Sequence, residues 1–224
     1  MNTSGRRKKQ ISEEDMNAII SVIHDQNSSY SGILSTWLYL GSVTGLRPHE
    51  WCQAEIIDRL EGCPADAGPF LRVRNSKNSN GRAHGDYRHL DLTLCSNEVI
   101  DLLGGFTAWM RQVYDEGGYR AMYENCKKLL QIANRKLFGE AGQWIQIYSP
   151  RHKFSSEAKL LLSLGDVAAA MGHATDKTAT LHYGNHASGS GSLAIRPVAG
   201  EVAKVRKRPA RPSTRKTPKA PTPG

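Results

Sequence analysis

Apolar residues recur at helical spacing in several stretches of the chain, and each stretch predicts a helix. Met16, Ile19, Ile20 and Ile23 follow Ser12-Glu13-Glu14-Asp15, which has the form of a capping box. Ile33, Leu34, Trp37, Leu38 and Leu40 mark a largely apolar helix over 31–43, which Gly45 ends. Pro48 suits the first turn of a new helix through PHEWCQAEI. Val99, Ile100, Leu103, Phe106, Met110 and Val113 place a helix over 97–114, and Met122, Leu129, Leu130, Ala133 and Leu137 another over 119–137. Shorter helices are expected at 154–163, 166–171 and near 176–183. Between about 56 and 93 the period changes: FLRVRN and YRHLDLT are short, partly alternating runs separated by the turn-rich NSKNSNGRAHGD. The pattern predicts an α+β class, a mainly helical domain with one small antiparallel sheet inserted near its first third.

Charge divides the chain differently. The protein has 224 residues and a formal net charge of +9. Residues 1–10 carry +4 and residues 196–224 carry +8, whereas 11–195 is slightly acidic at −3. The expected organisation is a basic arm over 1–10, a catalytic-size domain over 11–195 and a tail over 196–224. That tail holds six of the ten prolines and few large apolar residues. Such a segment buries too little surface to offset its ordering entropy and reads as disordered. A disordered polycation holds DNA phosphates by releasing counterions. Arg72, Arg74, Lys77, Arg82 and Arg88, with Asp86 as the one acid among them, form a second candidate phosphate-contact face on the sheet.

No apolar run approaches the ~20 residues of a membrane span, and the N-terminus lacks the apolar core of a signal peptide. Cys52, Cys63, Cys95 and Cys126 have neither CxxC pairing nor zinc spacing and read as free buried thiols of a reducing compartment. The expected location is cytoplasmic and DNA-associated.

Four short pieces carry chemistry: Thr44-Gly45-Leu46-Arg47-Pro48-His49-Glu50, Tyr148-Ser149-Pro150-Arg151-His152, Met171-Gly172-His173 and Thr180-Leu181-His182-Tyr183-Gly184. Breaking a phosphodiester calls for a nucleophile, donors for the charge that builds on the phosphorane oxygens, and an acid for the departing alkoxide. Two guanidiniums present planar forks matched to phosphate oxygens, a role that fits Arg47 and Arg151. A phenol such as Tyr183 titrates near 10, and a cationic clamp beside it favours the phenolate. Its attack would form a covalent intermediate that splits one difficult transfer into two easier ones.

In this order and at these spacings the four pieces resemble the boxes of the tyrosine recombinase (phage integrase) family, TGLR-x-x-E, H-x-x-R-H, L-G-H and T-x-x-Y. The resemblance spans about residues 12–186, the family's catalytic domain, and implies that domain's fold. It implies Tyr183 as nucleophile, Arg47 and Arg151 as clamp, His173 as a donor to the phosphate, and Lys77 as the acid for the 5′-oxygen. Tyr148 stands where the family has a histidine that assists proton transfer, and a phenol is a poor general base near neutral pH. His49, His152, His182 and His186 receive no catalytic role. The resemblance further implies double-stranded DNA as partner, an oligomer assembled on it, and no metal, cofactor, membrane or small-molecule substrate. Family members usually carry an N-terminal helical clamp domain, whereas here the boxes start close to Met1. The implied function is site-specific recombination or integration through a 3′-phosphotyrosyl intermediate. The alternatives are a nicking–closing activity like that of type IB topoisomerases, or a non-catalytic DNA-binding protein derived from a recombinase.

Overall fold

The computed structural model describes residues 8, 11–76, 85–176 and 193–206. It is mainly helical with a small four-stranded antiparallel sheet, the α+β class expected from the sequence. Helix α1 (Glu13–His24) opens on the capping box. The Ser12 hydroxyl accepts from the Asp15 amide, and the Asp15 carboxylate accepts from the Ser12 amide, each at 3.1 Å. Helix α2 (Ser31–Thr44) lays Leu34, Trp37, Leu38 and Leu40 into the core, all nearly or wholly out of contact with water. Truncating one such side chain to alanine costs about 2–5 kcal/mol, so this apolar stripe is what holds α2 in place. Gly45 ends it in the left-handed region at φ 67°. A Cβ there would overlap the ring of buried Phe154, so the position requires glycine for backbone and space alike.

The PHEWCQAEI segment is not the helix expected. Pro48 and His49 turn into a short 3-10 helix, Glu50–Gln53, and the chain then extends as β1 (Ala54–Ile57). Long-range pairing wins over local preference here, because β1 finds β2 (Phe70–Arg74) in antiparallel register, with Ala54 opposite Val73. β2 in turn pairs with β3 (Tyr87–Asp91), with Leu71 opposite Leu90 and Val73 opposite Arg88.

Helices α3 (Asn97–Asp115) and α4 (Tyr119–Phe138) match the periodic stretches that predicted them. α3 covers β1 and the 3-10 helix, while α4 packs on α1 and α2. Helix α5 (Ser149–Leu161) starts earlier than the expected 154, because Ser149 accepts from the Gln146 amide and Pro150 fits the first turn. It lies along α2, with Pro150 against Gly41. Helix α6 (Leu164–Ala170) is capped by Ser163, whose hydroxyl accepts from the Asp166 amide at 3.2 Å. Asp176 is the one described residue of the helix expected near 176–183.

The domain does not stop at 195. Arg196–Pro197 form β4 on the free edge of β3, and Ala199–Lys204 form a last helix, α7, against α6. Leu193, Ile195 and Val205 are buried there, and Glu201 pairs with His89 at 2.7 Å. Val205, the His89–Glu201 contact and the anchors Leu193 and Ile195 just before the strand offset the ordering entropy of 196–206 that the composition of 196–224 argued could not be met. Residues 1–7 and 207–224, which hold most of both expected basic ends, lie outside the described residues.

All four cysteines are free, but only Cys52 and Cys126 are buried. Burial pushes both of those thiols up to about 12 and so keeps them protonated. Among the described residues no helix is long and apolar enough to cross a membrane.

Candidate active site around Glu50

Three of the four sequence boxes meet at one buried carboxylate. Glu50 is 1% exposed, and three guanidiniums surround it. Arg47 Nη1 is 2.5 Å from Oε1, Arg88 Nη2 is 2.7 Å from Oε2, and Arg151 Nη1 is 3.8 Å from Oε2. Glu50 also accepts from the Arg47 backbone amide at 2.8 Å and from the Ser76 hydroxyl at 3.2 Å. Burial alone would raise its carboxyl, but Arg88, Arg47 and Arg151 together hold it well below the usual carboxylate range. Three cations and one anion leave the cluster with two net positive charges.

Each arginine reaches Glu50 from a different element. Arg47 follows the left-handed Gly45 that ends α2, and the Thr44 hydroxyl ties this turn by donating to the Leu40 carbonyl and accepting from the Leu46 amide. Arg47 and Glu50, three residues apart, form a buried pair. The Arg47 Nε is buried with no hydrogen-bond partner among the described residues.

Arg151 lies in the first turn of α5 and is 1% exposed. Its Nη1 donates to the Gly45 carbonyl and its Nη2 to the Met171 carbonyl, the latter at 2.5 Å. One side chain therefore joins the Arg47 turn to the His173 turn.

Met171-Gly172-His173 closes α6 in a Schellman arrangement. The Gly172 amide donates to the Ala169 carbonyl at 3.0 Å and the His173 amide to the Ala168 carbonyl at 2.8 Å, with Gly172 at φ 67°. This turn delivers His173 Nε2 to 3.4 Å from Arg151 Nη2. Burial, reinforced by Arg151, Arg47 and Arg88, pushes the imidazole down to about 2, so it is neutral at physiological pH.

Tyr148 sits immediately before α5, partly exposed, with its ring edge-on to His152 at 5.3 Å between centroids. It lies at the same helix end as Arg151, and its carbonyl accepts from the Arg151 amide at 3.2 Å. Tyr183 and Lys77 lie outside the described residues.

Arg88 departs from the sequence expectation. Instead of standing on an exposed basic face it is completely buried, with its guanidinium on Glu50, Asn75 and the Ala170 carbonyl. The signal is present in the chain: in YRHLDLT a period of two puts Arg88 on the same face as Leu90 and Leu92, both buried. Arg72 of that expected face is already paired with Glu55. Beside Glu50 a cleft of about 360 Å³ opens between the 3-10 helix and the start of the β2–β3 turn, lined by His49, Arg74, Asn75 and Ser76 among others.

An anion is what this arrangement can take. It has excess buried positive charge, planar forks fixed by backbone acceptors and a neutral imidazole beside them. Among the described residues no group of histidine, cysteine and carboxylate side chains could hold a metal ion. No protein-family model, curated protein or solved structure matches this chain.

Proposed function

We propose that this chain is a tyrosine-type, site-specific DNA recombinase or integrase that breaks and rejoins strands through a covalent 3′-phosphotyrosyl link. The observation that carries the reading is the meeting of Arg47, Arg151 and His173, far apart in sequence, around Glu50 with positive charge to spare. The reading includes a recombinase-like catalytic fold for the domain, duplex DNA as its partner and an oligomer as the assembly in which strands are exchanged.

In the reaction, Arg47 and Arg151 hold the non-bridging oxygens of the scissile phosphate, Arg151 after DNA binding uncovers its guanidinium, which is buried in the unbound chain. His173 donates to the same group once the phosphate's negative charge offsets the cations around it. The Tyr183 phenol gives its proton to a water, and its oxygen attacks phosphorus. The bond from phosphorus to the 5′-oxygen breaks, and Lys77 gives that oxygen a proton. One phosphodiester is exchanged for another, so the bond energy is retained for rejoining by the attack of a 5′-hydroxyl in the reverse sense. Tyr148 can support the phenol by hydrogen bonding only.

A nicked suicide duplex, from which the cleaved fragment diffuses away, tests the reading. Wild-type protein should accumulate a denaturation-resistant DNA adduct. Tyr183→Phe should abolish it with duplex binding nearly intact, because one oxygen and no charge is removed. An adduct that persists in Tyr183→Phe rejects Tyr183 as the nucleophile. Tight binding with no adduct from the wild type identifies a non-catalytic DNA-binding protein instead. Relaxation of supercoiled plasmid without strand exchange identifies a nicking–closing enzyme.

A further inference from the structure

Arg88 is completely buried, and all three nitrogens of its guanidinium donate to protein acceptors. It joins three parts of the site. Nη2 donates to Glu50, which holds Arg47. Nη1 donates to Asn75 Oδ1 at 2.6 Å. Asn75 itself closes the mouth of the β2–β3 turn, its amide donating to the Asp86 carbonyl and its Nδ2 to the Gly85 carbonyl, each at 2.8 Å. Nε donates to the Ala170 carbonyl at 2.9 Å, at the end of α6 and three residues before His173. The His173 turn also rests on this pair. A Cβ on Gly172 would stand 2.5 Å from Asn75 Oδ1 and 3.0 Å from Arg88 Nη1, so only a glycine lets the turn come this close.

The geometry points to Arg88 as a positioning residue that fixes His173 and the entrance of the β2–β3 turn relative to Arg47 and Arg151. A planar fork is needed for this. Glu50, Asn75 and the Ala170 carbonyl are reached in three directions by one rigid group, whereas a lysine ammonium is a single point on a flexible stem. Lys77, the proposed acid, follows Asn75 by two residues in sequence. The inference rests on the phosphodiester-cleavage reading for its effect on rate. Its effect on the anion pocket does not depend on that reading.

Arg88→Lys keeps the charge that Glu50 needs and loses the fork. Asn75→Ala removes the acceptor under Nη1 and serves as the second variant should the lysine variant fail to fold. Thermal unfolding establishes which of them is native. In a folded variant the first-order cleavage of a saturating suicide duplex should slow by about 10²-fold, the scale of a small displacement of catalytic groups. Duplex affinity should change little, because contacts to the many other phosphates of the duplex dominate it. The ring resonances of His173 should move, and titration with inorganic phosphate should show several-fold weaker binding. Wild-type cleavage with unmoved His173 resonances would overturn the inference, as would weakened duplex binding with an unchanged rate at saturation. Should the wild type form no adduct, the cleavage reading fails while the phosphate titration still decides Arg88. Weaker phosphate binding with moved His173 resonances supports the positioning role, and unchanged affinity with unmoved resonances overturns it.

Discussion

Glu50 and Arg151 face each other at 3.8 Å with neither side chain exposed to solvent. They come from boxes about a hundred residues apart in the chain, and Arg47 and Arg88 complete the ring around the carboxylate. Glu50 is therefore the common counterion of the cluster. Without it, three guanidiniums would share one buried space and repel one another.

Replacing Glu50 tests that role. Glu50→Gln is close in shape but leaves the three cations uncompensated, and breaking a buried pair in this way costs about 3–5 kcal/mol. The variant should melt well below the wild type. Phosphate should raise its Tm by more than it raises the wild-type Tm, because an added anion restores the missing charge. Equal melting temperatures without phosphate would remove Glu50 from the electrostatic centre.

Arg47 and Arg151 should differ in how cleanly they can be removed. Arg47→Ala loses a side chain whose described partner is Glu50, so cleavage should fall by about 10²–10³ with a modest loss of stability. Arg151→Ala also loses the bonds to the Gly45 and Met171 carbonyls, so it should lower both cleavage and Tm. Arg→Lys should rescue only part of either loss. Single-turnover cleavage beside thermal melts reads both effects. Near-wild-type cleavage by Arg47→Ala would place it outside the chemistry.

His173 gives the stability a defined pH dependence. Its folded-state pKa, pushed down to about 2, lies below its ordinary value of 6.5. Above pH 6.5 both folded and unfolded forms are neutral and the contribution is fully present. As the pH falls below 6.5 the unfolded chain binds a proton that the folded one refuses, and stability is lost by up to about 1.4 kcal/mol per pH unit. Glu50, also depressed, adds a loss in the same direction below about 4.5. Urea titrations between pH 7.5 and 5 should show a steeper decline for the wild type than for His173→Asn. Parallel declines would mean that His173 protonates without cost in the folded protein.

Truncation should separate the ordered C-terminal strap from the polycation beyond it. Removing 207–224 deletes six lysines and arginines and no acid. Binding to any duplex should weaken, specific and random sequences alike. The slope of log K against log[salt] should flatten by up to about 0.9 for each phosphate the tail no longer neutralises. The melting temperature and the cleavage rate at saturating DNA should hold. Removing 193–206 as well takes away β4, α7 and the partner of His89, and should lower the Tm sharply. An unchanged salt slope in the shorter truncation would make the tail a solubilising extension.

How far the sequence can be read follows from which interactions are local. α1, α2, α3 and α4 are visible in it because their apolar stripes repeat at helical spacing. β1 and β4 are not, because each exists through its pairing with a strand remote in sequence, and neither differs locally from a helix or a tail. Arg47, Arg151 and His173 stand out through the order of their boxes, and Tyr148 through its place at the head of the second box. Glu50 is legible only as the last residue of its box, and Arg88 only through the period of two that puts it on the face of Leu90 and Leu92. Both shortfalls have one origin: a charged residue reads as solvated until its partners, here 38 residues apart, are brought together.

The exposure of the cluster also bears on how quickly an anion finds it. Arg88, Arg151 and Glu50 are sealed, and Arg47 alone among the three guanidiniums keeps a little contact with water, about a tenth of its side chain. The two unbalanced charges are therefore screened poorly from behind and felt chiefly through the Arg47 side, where low-dielectric walls concentrate the field. Encounter with a polyanion should be faster than the slightly acidic core would suggest. That advantage in association rate should fade as added salt shortens the reach of the field to a few ångströms.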